Sequence, residues 1–197
     1  MCVFCSASED IADRYLSLAD EVGTRIARRG WSLVTGGGSI SAMGAVARAV
    51  RREGGRTVGV IPAELADSEV ADRDADELVV TDGMRARKAE MDGRSDSFLA
   101  LPGGIGTLEE LLEVWVARSL VMHAKPIVVL DPWGDLHPLR ELVEGLVTSG
   151  FVSPAAAAEV QWTDRVDAAM DALAIEPPLP VGFEVASPRD VLEADIE

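Results

Sequence analysis

The clearest local fold signal of the chain is the segment SFLALPGGIGTLEELLEVW, residues 97–115. A short apolar strand pattern ends at Pro102, a glycine-rich loop follows, and a strongly apolar helix pattern begins at Thr107. Such a loop leaves bare backbone N–H groups at the helix N-terminus, where the helix dipole favours an anion. This stretch therefore predicts a strand–loop–helix unit that can hold a phosphate group, with the Thr107 hydroxyl beside it.

The same alternation of short apolar runs and amphipathic periods continues on both sides of this unit. We expect strands at 2–5, 31–34, 57–61, 78–80, 97–101, 126–130 and near Val160, and helices at 11–26, 43–50, 82–94, 107–122, 136–148 and 164–173, with a loop at 64–76. This order predicts an α/β fold, a Rossmann-like doubly wound parallel β-sheet flanked by helices on both faces. Ligands of such sheets bind at the carboxyl ends of the strands.

The 197 residues fit one ordinary domain, which we place at 1–175 as a single nucleotide-binding domain. From 176 to 197 the chain is acidic, contains prolines and has little periodicity, so we expect a partly disordered tail. Met1 leads directly into an apolar strand pattern, and no apolar stretch is long enough to span a bilayer. A cytoplasmic protein without membrane contact is expected.

The net charge of −16 and the pI of about 4.4 argue against polymeric nucleic acid as a partner. A small phosphate ester can still bind, because helix termini and one or two arginines act at short range, where the bulk charge is screened. Local cations therefore matter more than the net charge.

Cys2 and Cys5 form a C-x-x-C spacing, which occurs in redox pairs and in metal sites. A zinc site needs about four ligands, and the chain adds only His123 and His137. We favour buried strand cysteines over either alternative, and expect no metal and no cofactor.

A second glycine loop, GGGSISAMG at 36–44, also lies between a strand pattern and a helix pattern. It lacks the Gly-Lys-Ser/Thr ending of an ATPase phosphate loop. It predicts an anion site built from Gly37, Gly38 and Met43, and the alternative is a tight turn for close helix-to-sheet packing.

Glu110 has two interpretations. Thr107-x-x-Glu110 is the pattern of a capping box, in which the carboxylate accepts a hydrogen bond from a backbone N–H of the helix start. Alternatively, Glu110 is a catalytic carboxylate beside the phosphate site. The segment MRARKAEM, residues 84–91, likewise either carries a cation toward the site or forms a solvated basic face.

These motifs together resemble the LOG (Lonely Guy) family of cytokinin riboside 5′-monophosphate phosphoribohydrolases, whose members are often labelled lysine decarboxylases. The resemblance covers about residues 1–173 and rests on VFCSAS, GGGSISAMG, GVIP, MRARKAEM, SDSFLALPGGIGTLEELLEV and HAKPIVVLD, in the order and spacing of the family.

The resemblance implies a hydrolase acting on N-glycosyl bonds. It would cleave a nucleoside 5′-monophosphate, either an N6-modified AMP or AMP itself, into free base and ribose 5-phosphate. Arg87 and Glu110 match the catalytic pair of the family, and Arg87 would orient the nucleotide and hold the Glu110 carboxylate ionised by lowering its pKa. The positions implied to bind the substrate are Glu69, Lys88, Gly103, Gly104, Ile105, Gly106, Thr107 and Glu109, in addition to Gly37, Gly38 and Met43.

The resemblance also implies a homodimer with the active site near its interface, which agrees with the excess of apolar residues in the helix after Thr107. Ser41 and Ser6 replace family glycines, and Val116 replaces a threonine that contacts the ligand. The loss of that hydroxyl bears more on ligand contacts than on the reaction.

The sequence also bears on three other functions, namely nucleotide binding without catalysis, lysine decarboxylation and dinucleotide-dependent dehydrogenation. A catalytically silent nucleotide-binding module would need neither Arg87 nor Glu110. Lysine decarboxylation needs a pyridoxal Schiff base, and Lys88 and Lys125 are the only lysines of the chain. A dinucleotide dehydrogenase is disfavoured because the first loop is not G-x-G-x-x-G.

Overall fold

The described part of the chain forms one sheet of seven parallel strands. The computed structural model describes residues 1–66 and 70–174. The strands are β1 Cys2–Phe4, β2 Leu33–Thr35, β3 Thr57–Pro62, β4 Glu77–Thr81, β5 Phe98–Ala100, β6 Ile127–Leu130 and β7 Val160–Thr163. They lie in the sheet in the order β4-β3-β2-β1-β5-β6-β7. The helices are α1 Asp13–Arg28, α2 Ser41–Arg52, α3 Ala63–Ala66, α4 Met84–Gly93, α5 Ile105–Ser119, α6 His137–Thr148, α7 Pro154–Ala157 and α8 Val166–Leu173.

Helices cover both faces of this sheet, which confirms the predicted doubly wound α/β class. Buried residues of α1, α2 and α8, such as Val22, Val46 and Met170, pack on one face. Met91 of α4 and Leu111 of α5 pack on the other. Because both faces are covered, the central strands are apolar throughout, which is why they appear in the sequence as continuous apolar runs.

Cys2 and Cys5 are both buried free thiols, which confirms the prediction that they are buried. Cys2 belongs to the core on the α4–α5 face, and Cys5 belongs to the core on the opposite face. Burial raises the pKa of each thiol, so both are neutral at physiological pH.

The structure differs from the predicted elements at several points. The short helix α3 overlaps the start of the segment predicted as a loop, and α7 was not predicted. Helix α5 begins at Ile105 rather than Thr107, and it ends at Ser119 rather than near Met122. It ends early because Val121 has a left-handed φ of 62° and the Met122 N–H donates to the Ala117 carbonyl over 2.9 Å, which closes the helix.

The predicted tail at 176–197 and the candidate residue Glu69 lie outside the described residues. Among the helices of the described ranges, none combines the length and the apolar character needed to cross a membrane.

Candidate active site

Three loops meet at one point on the carboxyl edge of the sheet. Strand β1 lies between β2 and β5, and all three strands are parallel, so the segments 5–8, 36–38 and 101–104 leave the sheet side by side. Successive strands are added outward from β1 in one direction, through β2 to β4, and then in the other, from β5 onward. Doubly wound sheets bind ligands in the crevice at this kind of reversal.

The N-terminus of α5 is open to ligand. Its N-cap is Gly104, which has no side chain to cap the helix, and Gly104, Ile105 and Gly106 are all exposed. Thr107 is buried, and a Cβ on Gly103 would lie 2.2 Å from its Oγ1 atom. The helix thus begins at exposed backbone whose first-turn N–H groups are available to an anion, and only Gly103 of this loop lacks room for a side chain.

Glu110 of α5 pairs with Arg87 of α4. The Arg87 Nη1 atom lies 3.2 Å from the Glu110 Oε1 atom, and each side chain is only 9% exposed. The Arg87 Nε–H also donates to the Val60 carbonyl of β3 over 3.1 Å. A buried ion pair of this kind is costly to desolvate, and it is weak evidence for a purely stabilising role.

The capping-box interpretation of Glu110 is wrong. Because α5 begins at Ile105, Thr107 lies within the first helical turn and is not the N-cap residue. The Glu110 carboxylate therefore has no N-cap backbone to bind at Thr107, and it pairs with Arg87 instead.

Burial raises the pKa of Glu110 above its ordinary value. The Arg87 guanidinium lowers this pKa, as expected from the sequence, but desolvation is the larger effect, and Glu109 also raises the pKa. The prediction that Arg87 would hold the pKa down is therefore correct for its own contribution and wrong for the net shift. A carboxyl group shifted toward neutrality suits proton transfer.

Lys88 lies on α4 between two carboxylates of α5. Its Nζ atom contacts Glu109 and lies 2.7 Å from the Glu113 Oε2 atom, and the hydrogen bond that Lys88 donates to Glu109 is the main cause that raises the pKa of Lys88. Lys88 thus links the two helices beside the Arg87–Glu110 pair. The alternative of a solvated basic face for residues 84–91 is wrong for Arg87, which is buried. It fits Arg85, which is exposed.

The glycines of the first loop pack closely against neighbouring protein atoms. Gly37 has a left-handed φ of 78°, and a Cβ there would lie 2.9 Å from the Ile61 Cβ atom. The Gly38 N–H donates to the Sδ atom of buried Met43 over 3.1 Å. The tight-turn interpretation describes these contacts, and direct substrate contact by Gly37, Gly38 and Met43 stays a prediction.

A cavity of about 250 Å³ opens beside Glu110 between α4 and α5. Its walls are mainly apolar, and Lys88 and Glu113 stand with Glu110 among the residues that line it. The apolar lining residues include Phe4, Met91, Phe98, Val114 and Met122. Sequence reasoning missed this cavity, because its walls come from four separate segments and no local pattern signals their meeting.

An ion pair outside the predicted set anchors the first loop. Arg51 of α2 donates to both carboxylate oxygens of Asp72, over 2.8 and 3.2 Å. The Asp72 N–H donates to the Gly37 carbonyl over 2.8 Å, and Ser39 N–H donates to the Val70 carbonyl over 2.7 Å. Asp72 was assigned to a loop, and nothing local to its sequence indicated this role.

The chain is similar in sequence to known proteins. A family model described as "Possible lysine decarboxylase" matches residues 43–173. The cytokinin riboside 5′-monophosphate phosphoribohydrolase of Mycobacterium tuberculosis is 54% identical over 172 residues, which are 87% of this chain and 91% of that protein. A protein of the same name from Arabidopsis thaliana is 42% identical over 79% of this chain and 73% of its own.

A solved structure shares the architecture. The molybdenum cofactor carrier protein of Chlamydomonas reinhardtii superposes with a TM-score of 0.67 and is 28% identical, over 87% of this chain and 92% of that one. The same scaffold therefore occurs in a protein named for carrying a ligand, and the site residues have to decide between binding and catalysis.

Proposed function

The chain belongs to the LOG family of cytokinin riboside 5′-monophosphate phosphoribohydrolases, and from this membership we propose that it hydrolyses the N-glycosidic bond of a nucleoside 5′-monophosphate. The products are the free base and ribose 5-phosphate. The observation that carries this proposal is the buried Arg87–Glu110 pair, which stands on α4 and α5 near the uncapped N-terminus of α5.

The 5′-phosphate is assigned to the α5 N-terminus. The exposed backbone of Gly104, Ile105 and Gly106 offers N–H donors, and the helix dipole adds positive potential. This site explains how a chain with a net charge of −16 binds an anion, because the attraction is fixed within a few ångströms of the ligand.

Glu110 acts on the sugar. As the bond from the base to C1′ breaks, the sugar becomes an oxocarbenium-like cation, which a carboxylate in a water-poor site stabilises strongly. A water oxygen then bonds to C1′ and loses one proton, and the departing base nitrogen gains one, so that one water molecule is divided between the two products. Arg87 keeps Glu110 in place and supports its ionised form, because its guanidinium is the main cationic neighbour of that carboxylate.

The base is assigned to the cavity beside Glu110. Its volume of about 250 Å³ lies just below the roughly 300–1,000 Å³ of pockets that enclose whole drug-sized ligands. The apolar walls therefore suit one part of a ligand, such as a purine base or its N6 substituent. An N6-modified AMP is the preferred substrate in this proposal, with AMP as a broader one.

The alternative of a silent binding module is not favoured. A module that only binds needs the phosphate site, but it gains nothing from a buried carboxylate that would repel the ligand. Decarboxylation of lysine is also disfavoured, because the two lysines are engaged elsewhere. Lys88 pairs with Glu109 and Glu113, and the Lys125 Nζ atom lies 2.8 Å from the Asp92 Oδ1 atom.

The test is a substrate panel analysed by chromatography. AMP, isopentenyladenosine monophosphate, CMP and GMP are incubated with the chain beside the matching nucleosides, which lack the phosphate. We expect base and ribose 5-phosphate from an adenine nucleotide and far less release from its nucleoside. Binding of nucleotides without any release would contradict the hydrolase and favour the binding module.

We further propose that a second copy of the chain covers the outer face of α5. Exposed apolar side chains lie along this helix at Ile105, Leu112 and Val116, and two more, Leu120 and Met122, lie in the turn after it. Exposed apolar patches often mark interaction sites. The commonest oligomer of soluble proteins is a homodimer, in which the same patch of both copies forms the interface. Since Ile105 also belongs to the phosphate loop, the interface would reach the active site.

Sizing chromatography tests the dimer. Val116→Glu places a charge among the exposed apolar side chains of α5, and Leu142→Glu places the same charge at a similarly exposed position on α6. We expect the first substitution to give a monomer and the second to elute with the wild type. A wild-type monomer, or a dimer unaffected by Val116→Glu, would contradict this interface.

A further inference from the structure

The guanidinium of Arg87 lies in a slot formed by three separate segments. Gly36 follows β2, Val60 belongs to the neighbouring strand β3, and Glu110 belongs to α5. The Val60 carbonyl accepts from the Nε–H over 3.1 Å, and the Glu110 carboxylate lies 3.2 Å from Nη1. The remaining atom, Nη2, lies against the backbone of Gly36.

There is no room for a side chain at this point of the first glycine loop. A Cβ on Gly36 would lie 1.7 Å from the Nη2 atom of Arg87 and 2.8 Å from its Cζ atom. The backbone of Gly36 is outside the left-handed region, so its conformation alone would accept alanine. The space that the guanidinium fills is therefore what requires glycine here.

Arg87 cannot yield to a methyl group without losing its other contacts. The end of an arginine side chain is usually flexible. The Arg87 side chain is only 9% exposed, and it is held by a hydrogen bond at Nε and by an ion pair at Nη1. A shift large enough to admit the methyl group would break the contact with the Val60 carbonyl, the contact with Glu110, or both.

We propose that Gly36 is a positioning residue for the reaction. Its missing side chain leaves space for the Nη2 atom of Arg87, so that the guanidinium can contact Glu110 through Nη1. This inference rests on the proposed function, and it assigns Gly36 no contact with substrate. Gly36 acts only through Arg87.

Among the described residues, Lys88 is the second cation that acts on Glu110, and it is not free to replace Arg87. The charged groups that face Glu110 are Arg87 and Lys88 from α4 and Glu109 and Glu113 from α5, and the thiols of β1 are neutral. Lys88 is already bound by both neighbouring glutamates. Displacing the guanidinium should therefore raise the pKa of Glu110 further, because burial then acts with little opposition.

A double-mutant cycle on the full chain tests this inference. Gly36→Ala, Arg87→Ala and the double variant are compared with the wild type by kcat/KM. Gly93→Ala is the control, because a Cβ there meets nothing within 4 Å among the described residues. We expect Gly36→Ala and Arg87→Ala each to lose at least about 10²-fold, the size typical of losing one catalytic electrostatic contact. The double variant should be no slower than Arg87→Ala, whereas additive losses would overturn the proposal.

Two readouts do not depend on activity. A carbon-13 NMR titration, assigned with Glu110→Gln, should show the Glu110 midpoint moving up in Gly36→Ala but not between Arg87→Ala and the double variant. Gly36→Ala should lower the melting temperature in the wild-type background but not in the Arg87→Ala background, because removing Arg87 makes room for the methyl group. If neither of these variants folds, the methyl group clashes elsewhere and the inference is wrong.

These readouts separate the two proposals. If the wild type releases no base but the titration and melting results hold, the proposed function fails, and only the placement of Arg87 against Glu110 by Gly36 stands. If the wild type releases base and Gly36→Ala behaves as the wild type in all three measurements, the positioning role fails alone.

Discussion

Replacing Asp72 by asparagine breaks the ion pair that anchors the first glycine loop. Arg51 and Asp72 are joined by two hydrogen bonds, and their side chains are only 20% and 6% exposed. The adjacent arginine of the same helix offers a matched control. Arg52 makes the same two-bond contact with Asp20, at 2.8 and 2.9 Å, but these side chains are 52% and 46% exposed.

Exposure sets the expected magnitudes. Removing one partner of a fully buried pair costs about 3–5 kcal/mol, because the other charge is left uncompensated. Arg51 keeps some contact with water, so we expect about 2–3 kcal/mol for Asp72→Asn. For a chain of this size that lowers the melting temperature by roughly 5–10 °C. Asp20→Asn should leave it almost unchanged, because water and salt screen the exposed pair.

Thermal melts followed by circular dichroism provide the assay. All variants are measured at one protein concentration, since a dimer melts in a concentration-dependent way. Raising the salt concentration should affect the Asp20 pair more than the Asp72 pair. Equal losses at the two sites, or a loss below about 1 kcal/mol at Asp72, would refute the reasoning from burial.

Three further predictions concern the site. Burial raises the pKa of Glu110 in the folded chain, so the folded state binds the extra proton between its unfolded and folded pKa values, and wild-type stability falls as pH rises through that window. Glu110→Gln does not titrate, so its melting temperature relative to the wild type should increase as the pH rises above the ordinary pKa of a glutamate, and a flat difference would contradict the raised pKa. Gly103→Ala should lower the melting temperature because its Cβ would lie 2.2 Å from Thr107 Oγ1, whereas Gly104→Ala, with open space, should not, and equal melts would show that the loop gives way. Ser41 has a left-handed φ of 55°, so urea unfolding should find Ser41→Ala less stable than Ser41→Gly by about 1 kcal/mol, and the reverse order would show that this backbone is unstrained.

The fold could be predicted from the sequence because its main signal is local. Apolar runs such as Ile127–Leu130 and helical periods such as that of α1 report burial on one or both faces within a few residues. The start of α5 could not be fixed in this way. Gly104 as N-cap and Thr107 as N-cap both fit the sequence, and only the structure places the helix start at Ile105.

The contacts of the site were less accessible from sequence. The resemblance supplied Arg87 and Glu110, while residue patterns alone left a capping role for Glu110 open. Gly36 and Val60 meet Arg87 only after β2, β3 and α4 have packed together. Patterns of period two or 3.6 report neighbours along the chain, and they carry no information about contacts between residues that are tens of positions apart.

The measurement that tests the central claim most directly is base release from an adenine nucleotide by three proteins, namely the wild type, Glu110→Gln and Glu113→Gln. Both substitutions remove one carboxylate from α5, but the Glu110 side chain is 9% exposed and pairs with Arg87, whereas Glu113 is 51% exposed and pairs with Lys88. If Glu110 stabilises the sugar cation, Glu110→Gln loses at least about 10²-fold in kcat while Glu113→Gln keeps most of its activity. Comparable activity of Glu110→Gln and the wild type, with both folded, would contradict the account.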